Sequence, residues 1–108
     1  MNLPTEIFGD TIVVHTPEEL GADQVEAFDA FVDRLERVFV VIDLDGTENI
    51  DSKGLTALLD AQEKMRALGG DVKLATTNLS NRKILEITRL DQSLEVFEGV
   101  VDAVKSYR

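Results

Sequence analysis

The stretch Phe39-Val40-Val41-Ile42-Asp43-Leu44-Asp45-Gly46-Thr47-Glu48-Asn49-Ile50-Asp51-Ser52-Lys53-Gly54-Leu55 opens as an apolar run and closes on a helix start. Phe39 to Ile42 shows no alternation, which predicts a strand central to a sheet and covered on both faces. Downstream, Leu55, Leu58, Leu59, Met65 and Leu68 fall on one helical face, and Gly69-Gly70 closes that helix. Val72, Leu74 and Thr76 then alternate with Lys73 and Ala75, the period of a second strand. Strand, helix and strand in that order form a βαβ unit, whose crossover is almost always right-handed.

Working outward, Ile7-Phe8 and Ile12-Val13-Val14 flank Gly9-Asp10-Thr11. Gly-Asp suits the central positions of a type II′ turn, so two short antiparallel strands are expected. Val25, Phe28, Val32 and Leu35 recur at helical spacing and predict an amphipathic helix, with Asp23 in its first turn near the positive dipole end. Ser80 is placed to cap a third helix containing Ile84, Leu85 and Ile87. Leu94 to Phe97 reads as a short strand, and Val100, Val101, Val104 and Tyr107 mark a terminal helix. The expectation is one α/β domain over residues 1–108, with a mixed sheet of four to five strands and about four helices.

Composition narrows the function classes. The 108 residues carry 11 Lys plus Arg against 21 Asp plus Glu, a net charge of −10. That balance disfavours nucleic acid and anionic membrane surfaces, both of which select for clustered bases. There is no cysteine, hence no disulfide, thiolate metal site or cysteine nucleophile. The amino terminus lacks the basic start and apolar run of a signal peptide, and Val38 to Ile42 is far too short to span a bilayer. A cytoplasmic protein is expected.

Function in open α/β sheets gathers beyond the carboxyl ends of the strands. Here that region runs from Asp43 to Gly54, and Asp43, Asp45, Glu48, Asn49 and Asp51 crowd it with acids and amides. Two readings of Ser52 stand side by side. In the structural one, its hydroxyl caps the helix by accepting from the amide of Gly54 or Leu55. In the functional one it accepts a phosphate, which would sit at the positive end of the helix dipole and add about −1.5 to −2 charges to an acidic surface.

Ile50-Asp51-Ser52-Lys53-Gly54-Leu55 resembles the Asp-Ser-Ser/Thr-Gly-Leu signature of STAS domains, the fold of bacterial anti-sigma factor antagonists. The likeness extends from about Val38 to Phe97, through the Gly-Gly helix end, Asn78-Leu79-Ser80 and Thr88-Arg89-Leu90-Asp91. It implies phosphorylation of Ser52 by a partner serine kinase that is also the anti-sigma factor, and dephosphorylation by a separate phosphatase. It also implies a partner-binding surface of Asp51, Ser52, Lys53, Gly54 and Leu55, with no catalytic group, metal or cofactor in this chain. Two departures are visible. Lys53 stands where the family has Ser or Thr, and Thr16-Pro17-Glu18-Glu19-Leu20-Gly21 replaces the usual Gly-Glu-Leu-Asp-like turn, so Asp23 would have to supply the acid expected beside the phosphosite. The same fold could instead serve as a scaffold or accessory in a signalling or transport system.

A rival resemblance lies in the same stretch. Val40-Val41-Ile42-Asp43-Leu44-Asp45-Gly46-Thr47 is similar to the first motif of haloacid dehalogenase-type phosphatases. That likeness implies Asp43 as nucleophile, Asp45 as acid/base, Lys83 as the family lysine and Mg²⁺ on the phosphoryl oxygens. Against it, two strands and a helix precede the motif, and the late acidic pair is missing. The alternating oxygens from Asp43 to Asp51 also suggest a calcium loop, but Gly54 occupies the position where a bidentate Glu is needed. His15 has no partner motif and reads as structural or surface. The five phenylalanines, Phe8, Phe28, Phe31, Phe39 and Phe97, read as core or near-core.

Overall fold

The computed structural model describes residues 1–108. Thr5–Phe8 (β1) and Thr11–His15 (β2) form an antiparallel hairpin, with Phe8 opposite Thr11. Gly9 takes φ +62° while Asp10 stays at negative φ, the pattern of a II′ turn that only glycine enters freely. The other sheet strands are Phe39–Asp43 (β4), Asp71–Ala75 (β6) and Val96–Phe97 (β7), all parallel to β2, giving the order β1-β2-β4-β6-β7. A separate parallel pair, Glu19–Leu20 (β3) with Asn49–Ile50 (β5), lies outside this sheet. The helices are Val25–Asp33 (α1), Ser52–Ala67 (α2), Leu79–Ile87 (α3) and Val100–Lys105 (α4). The expected mixed sheet and four helices are therefore present.

The two faces of the sheet are covered unequally. Ile12, Val14, Val40, Ile42, Val72 and Leu74 face a large core completed by Phe28 and Val32 of α1, Leu55, Leu58 and Met65 of α2, and Leu85 of α3. Val13, Val41 and Ala75 face the other way, under Ala103 and Val104 of the short α4. Full burial of Val40, Val41 and Ile42 explains why β4 has no polar alternation. On the thin side, Lys73 lies buried, its Nζ 2.7 Å from Ser106 Oγ and 4.3 Å from the Tyr107 ring centre. The Tyr107 hydroxyl donates to the Val40 carbonyl at 2.8 Å, and burial, then the charge of Asp71, pushes its pKa upward. Both contacts fasten the carboxyl terminus to the sheet.

Several expectations shift at element ends. Leu35 lies beyond α1, Tyr107 beyond α4, Thr76 beyond β6, and the last strand contracts to Val96–Phe97. Leu68 is not on the buried face but is the exposed C-cap of α2. Asn78, rather than Ser80, caps α3: its extended backbone lets the side-chain oxygen accept from the amides of Ser80 and Asn81. Of the phenylalanines only Phe28 is fully buried, and Phe8 is exposed on the hairpin tip.

Candidate functional site

β5 leads into Asp51, whose extended backbone (φ −104°, ψ −177°) turns the chain into α2. Asp51 Oδ1 accepts the Gly54 N–H at 3.0 Å, so Asp51 is the N-cap and the expected capping by Ser52 is corrected. The other oxygen, Oδ2, accepts the Ala22 N–H at 3.0 Å and ties the start of α2 to the loop before α1. These N–H bonds, Gly54 first and Ala22 next, hold the Asp51 carboxyl below its ordinary pKa.

Ser52 is consequently the first helical residue, exposed, and its hydroxyl engages no neighbour. Its carbonyl accepts the Thr56 hydroxyl at 3.0 Å, and its own N–H belongs to the unpaired first turn. Lys53 is exposed beside it, whereas Gly54 and Leu55 are buried. These last two therefore lie beneath the surface that Ser52 and Lys53 present. The reason for Gly54 is steric: a Cβ there would lie 2.0 Å from the Leu20 carbonyl oxygen and 2.9 Å from Ile50 Cγ1. Only a glycine lets β3 pass across the first turn of α2.

Asp23, which the resemblance would make the acid beside the phosphosite, follows Ala22 in the loop that Asp51 holds. Asp23, Gln24, Glu19, Asn49 and Asp51 line one open depression of about 430 Å³. Three carboxylates and no base line it, so a basic group of a macromolecular partner suits it better than a free anion.

The carboxylates of the rival motif are committed to structure. Asp43 Oδ2 lies 2.8 Å from His15 Nδ1, and Asp43 Oδ1 accepts the Asp45 N–H at 3.0 Å. Asp45 Oδ1 accepts from the Thr77 N–H at 2.6 Å and from the Thr76 hydroxyl at 3.1 Å. These bonds tie the loop after β4 to the end of β6, while Lys83 lies on the exposed side of α3. His15 Nε2 meets Glu6 Oε1 at 2.7 Å, so the imidazole bridges β1 and β4. Burial lowers the His15 pKa, but hydrogen bonds and charge from Glu6 and Asp43 outweigh it, and the net direction is upward.

Two supporting residues escaped the sequence reading. Asn81, almost wholly buried, donates through Nδ2 to the carbonyls of Thr47 at 2.9 Å and Leu44 at 3.1 Å. Thr47, fully buried, donates its hydroxyl to the Pro17 carbonyl. Together they fix the β4–β5 loop that delivers Asp51. An Asn-x-x-Asn spacing at the head of α3 is the only trace in the sequence.

Comparison with known proteins follows the same outline. Residues 2–103 match the STAS domain family. The chain belongs to that family. A candidate anti-sigma factor antagonist of Thermotoga maritima is 23% identical over 97% of this chain and 96% of its own length. A crystal structure of a candidate anti-sigma factor antagonist from the same organism superposes with a TM-score of 0.86 at 21% identity, covering 96% of this chain and 92% of that one. The phosphorylated form of the Bacillus cell-fate determinant SpoIIAA superposes with a TM-score of 0.72 at 18% identity, covering 99% and 100%.

Proposed function

We propose that this protein is a partner-switching module of the anti-sigma factor antagonist type, toggled by phosphorylation of Ser52. The observation that carries the reading is the free, exposed Ser52 hydroxyl at the head of α2, left unoccupied because Asp51 does the capping. A kinase must bring the γ-phosphate in line with that oxygen, so the docking face is the one holding Ser52, Lys53 and the acidic depression beside Asp23. After transfer, the serine oxygen carries the phosphoryl group, with about −1.5 to −2 charges, against the phosphates of the departing ADP. Repulsion there, together with Asp51 and Asp23 at the rim, weakens the complex without refolding either partner. The partner supplies the transfer chemistry, and a separate phosphatase resets the switch. SpoIIAA is known in both phosphorylated and unphosphorylated forms, which supports this assignment.

The test is co-expression with the cognate serine kinase followed by peptide mass spectrometry. One phosphate is expected on the peptide holding Ser52. Ser52→Ala should remove it and keep the complex, and Ser52→Asp should weaken the complex about tenfold or more. Phosphate on another residue, unaffected by Ser52→Ala, would reject the proposal.

A further inference from the structure

At the opposite end of the sheet from Ser52, an apolar groove lies between the hairpin tip and α4. Phe8, Val100, Val101, Val104, Lys105 and Arg108 line it, and it holds about 120 Å³. Phe8 is 41% exposed and Val101 64%, side chains that a monomer gains nothing by presenting to water together. Val101 and Lys105 stand one turn apart on the outer face of α4, and Asp102 and Lys105 are neighbours at i, i+3. The outer face thus carries its acid toward the amino end and its base toward the carboxyl end.

We propose that two copies of this chain pair through this face, with α4 antiparallel to α4 and Asp102 of each copy facing Lys105 of the other. A two-fold contact must be self-complementary, each residue meeting its counterpart twice. An α4 ordered acid-then-base satisfies that condition, and an antiparallel pair seats each Val101 beside the other copy's Phe8 groove. Charge also selects this end. Two chains of net charge −10 repel, and the repulsion acts over about 8 Å at physiological salt. Lys105 and Arg108 rim the groove, and Arg37 reaches the hairpin tip through Nε to the Gly9 carbonyl at 3.3 Å, offsetting Asp10 at that tip and Asp102 on α4. The other end gathers Glu19, Asp23 and Asp51 with no base among them. Contact through the end of mixed charge keeps the acidic ends apart and leaves Ser52 open on both copies. The patch is small, so the association is a weak, concentration-dependent one.

Sedimentation equilibrium of the full chain from micromolar to millimolar concentration tests this. A monomer–dimer equilibrium is expected. Val101→Glu should weaken it about tenfold or more, and Phe8→Ser, on a different element, should act in the same direction. Asp102→Lys and Lys105→Asp should each weaken it several-fold, and the two together should restore it, since the swapped charges pair again. Circular dichroism confirms that each variant is folded. A chain that stays monomeric throughout, a dimer indifferent to Val101→Glu, or a double exchange no better than either single one would overturn the proposal.

Discussion

The Asp51 carboxylate holds the Gly54 amide at 3.0 Å and so takes the capping bond that the neighbouring serine hydroxyl would otherwise make. The division of labour between two adjacent polar residues separates stability from signalling. Asp51→Ala should lower the unfolding midpoint by several degrees, because α2 loses its cap and the loop before α1 loses its anchor at Ala22. Ser52→Ala should leave the midpoint within a degree or so, since its hydroxyl bonds nothing. Thermal melts followed by circular dichroism compare the two. Because the Asp51 pKa is depressed on folding, its contribution is present above about pH 4 and fades as pH falls through the folded value.

Gly54 and the Leu20 carbonyl give a second, harsher prediction. Gly54→Ala would place a methyl group 2.0 Å from a backbone oxygen that belongs to β3 and cannot rotate away. The outcome should be a loss of about 3 kcal/mol, with β3 displaced from the first turn of α2. Urea titration gives the stability, and amide exchange at Leu20 and Asp51 reports the displacement.

His15 supplies a pH signature. A neutral imidazole donates through one nitrogen only, whereas Nδ1 and Nε2 here both face carboxylates, those of Asp43 and Glu6. The protonated ring satisfies both, and its pKa rises above the ordinary 6.5. The stabilisation is then complete below about pH 6.5 and is lost as pH rises through the folded value. Urea midpoints measured across this window should fall with rising pH in the natural protein. His15→Gln should flatten that slope, and an unchanged slope would remove His15 as its source.

How far the chain could be read follows from what periodicity encodes. The βαβ unit was legible because burial on both faces leaves Val40, Val41 and Ile42 uniformly apolar and α2 with a long one-sided stripe. The II′ turn was legible because Gly9 is in the one position that demands positive φ. β3 and β5 were not legible, since two residues have no period and their pairing joins segments thirty residues apart. The site divides in the same way. The Ser52 neighbourhood announces itself in the motif, but the identity of the cap depended on a single extended residue at Asp51, and the approach of Asp23 depended on the loop that Asp51 pins. Local polar sequence allows either Asp51 or Ser52 to cap, and only the tertiary path of β3 decides.

Asn81 shows most directly how a remote polar residue governs the site. Its amide group gives two hydrogen bonds to carbonyls of the β4–β5 loop, Leu44 and Thr47, inside a region closed to water. Asn81→Ala strands the Thr47 carbonyl, whereas the Leu44 carbonyl keeps the Thr47 N–H at 2.9 Å, and should cost about 1–3 kcal/mol, the desolvation of one unpaired acceptor. Asn81→Asp keeps the shape and reverses the chemistry, placing a carboxylate that only accepts against two groups that only accept. It should therefore be less stable than Asn81→Ala at neutral pH, and the deficit should shrink in acid, where a protonated carboxyl can donate once more. In both variants the slackened loop carries Asp51 with it, so amide exchange should rise at Thr47 and Gly54 before it rises in the β2–β4 ladder. If exchange instead rose uniformly across the sheet, Asn81 would be a general core residue and not the strut of the site.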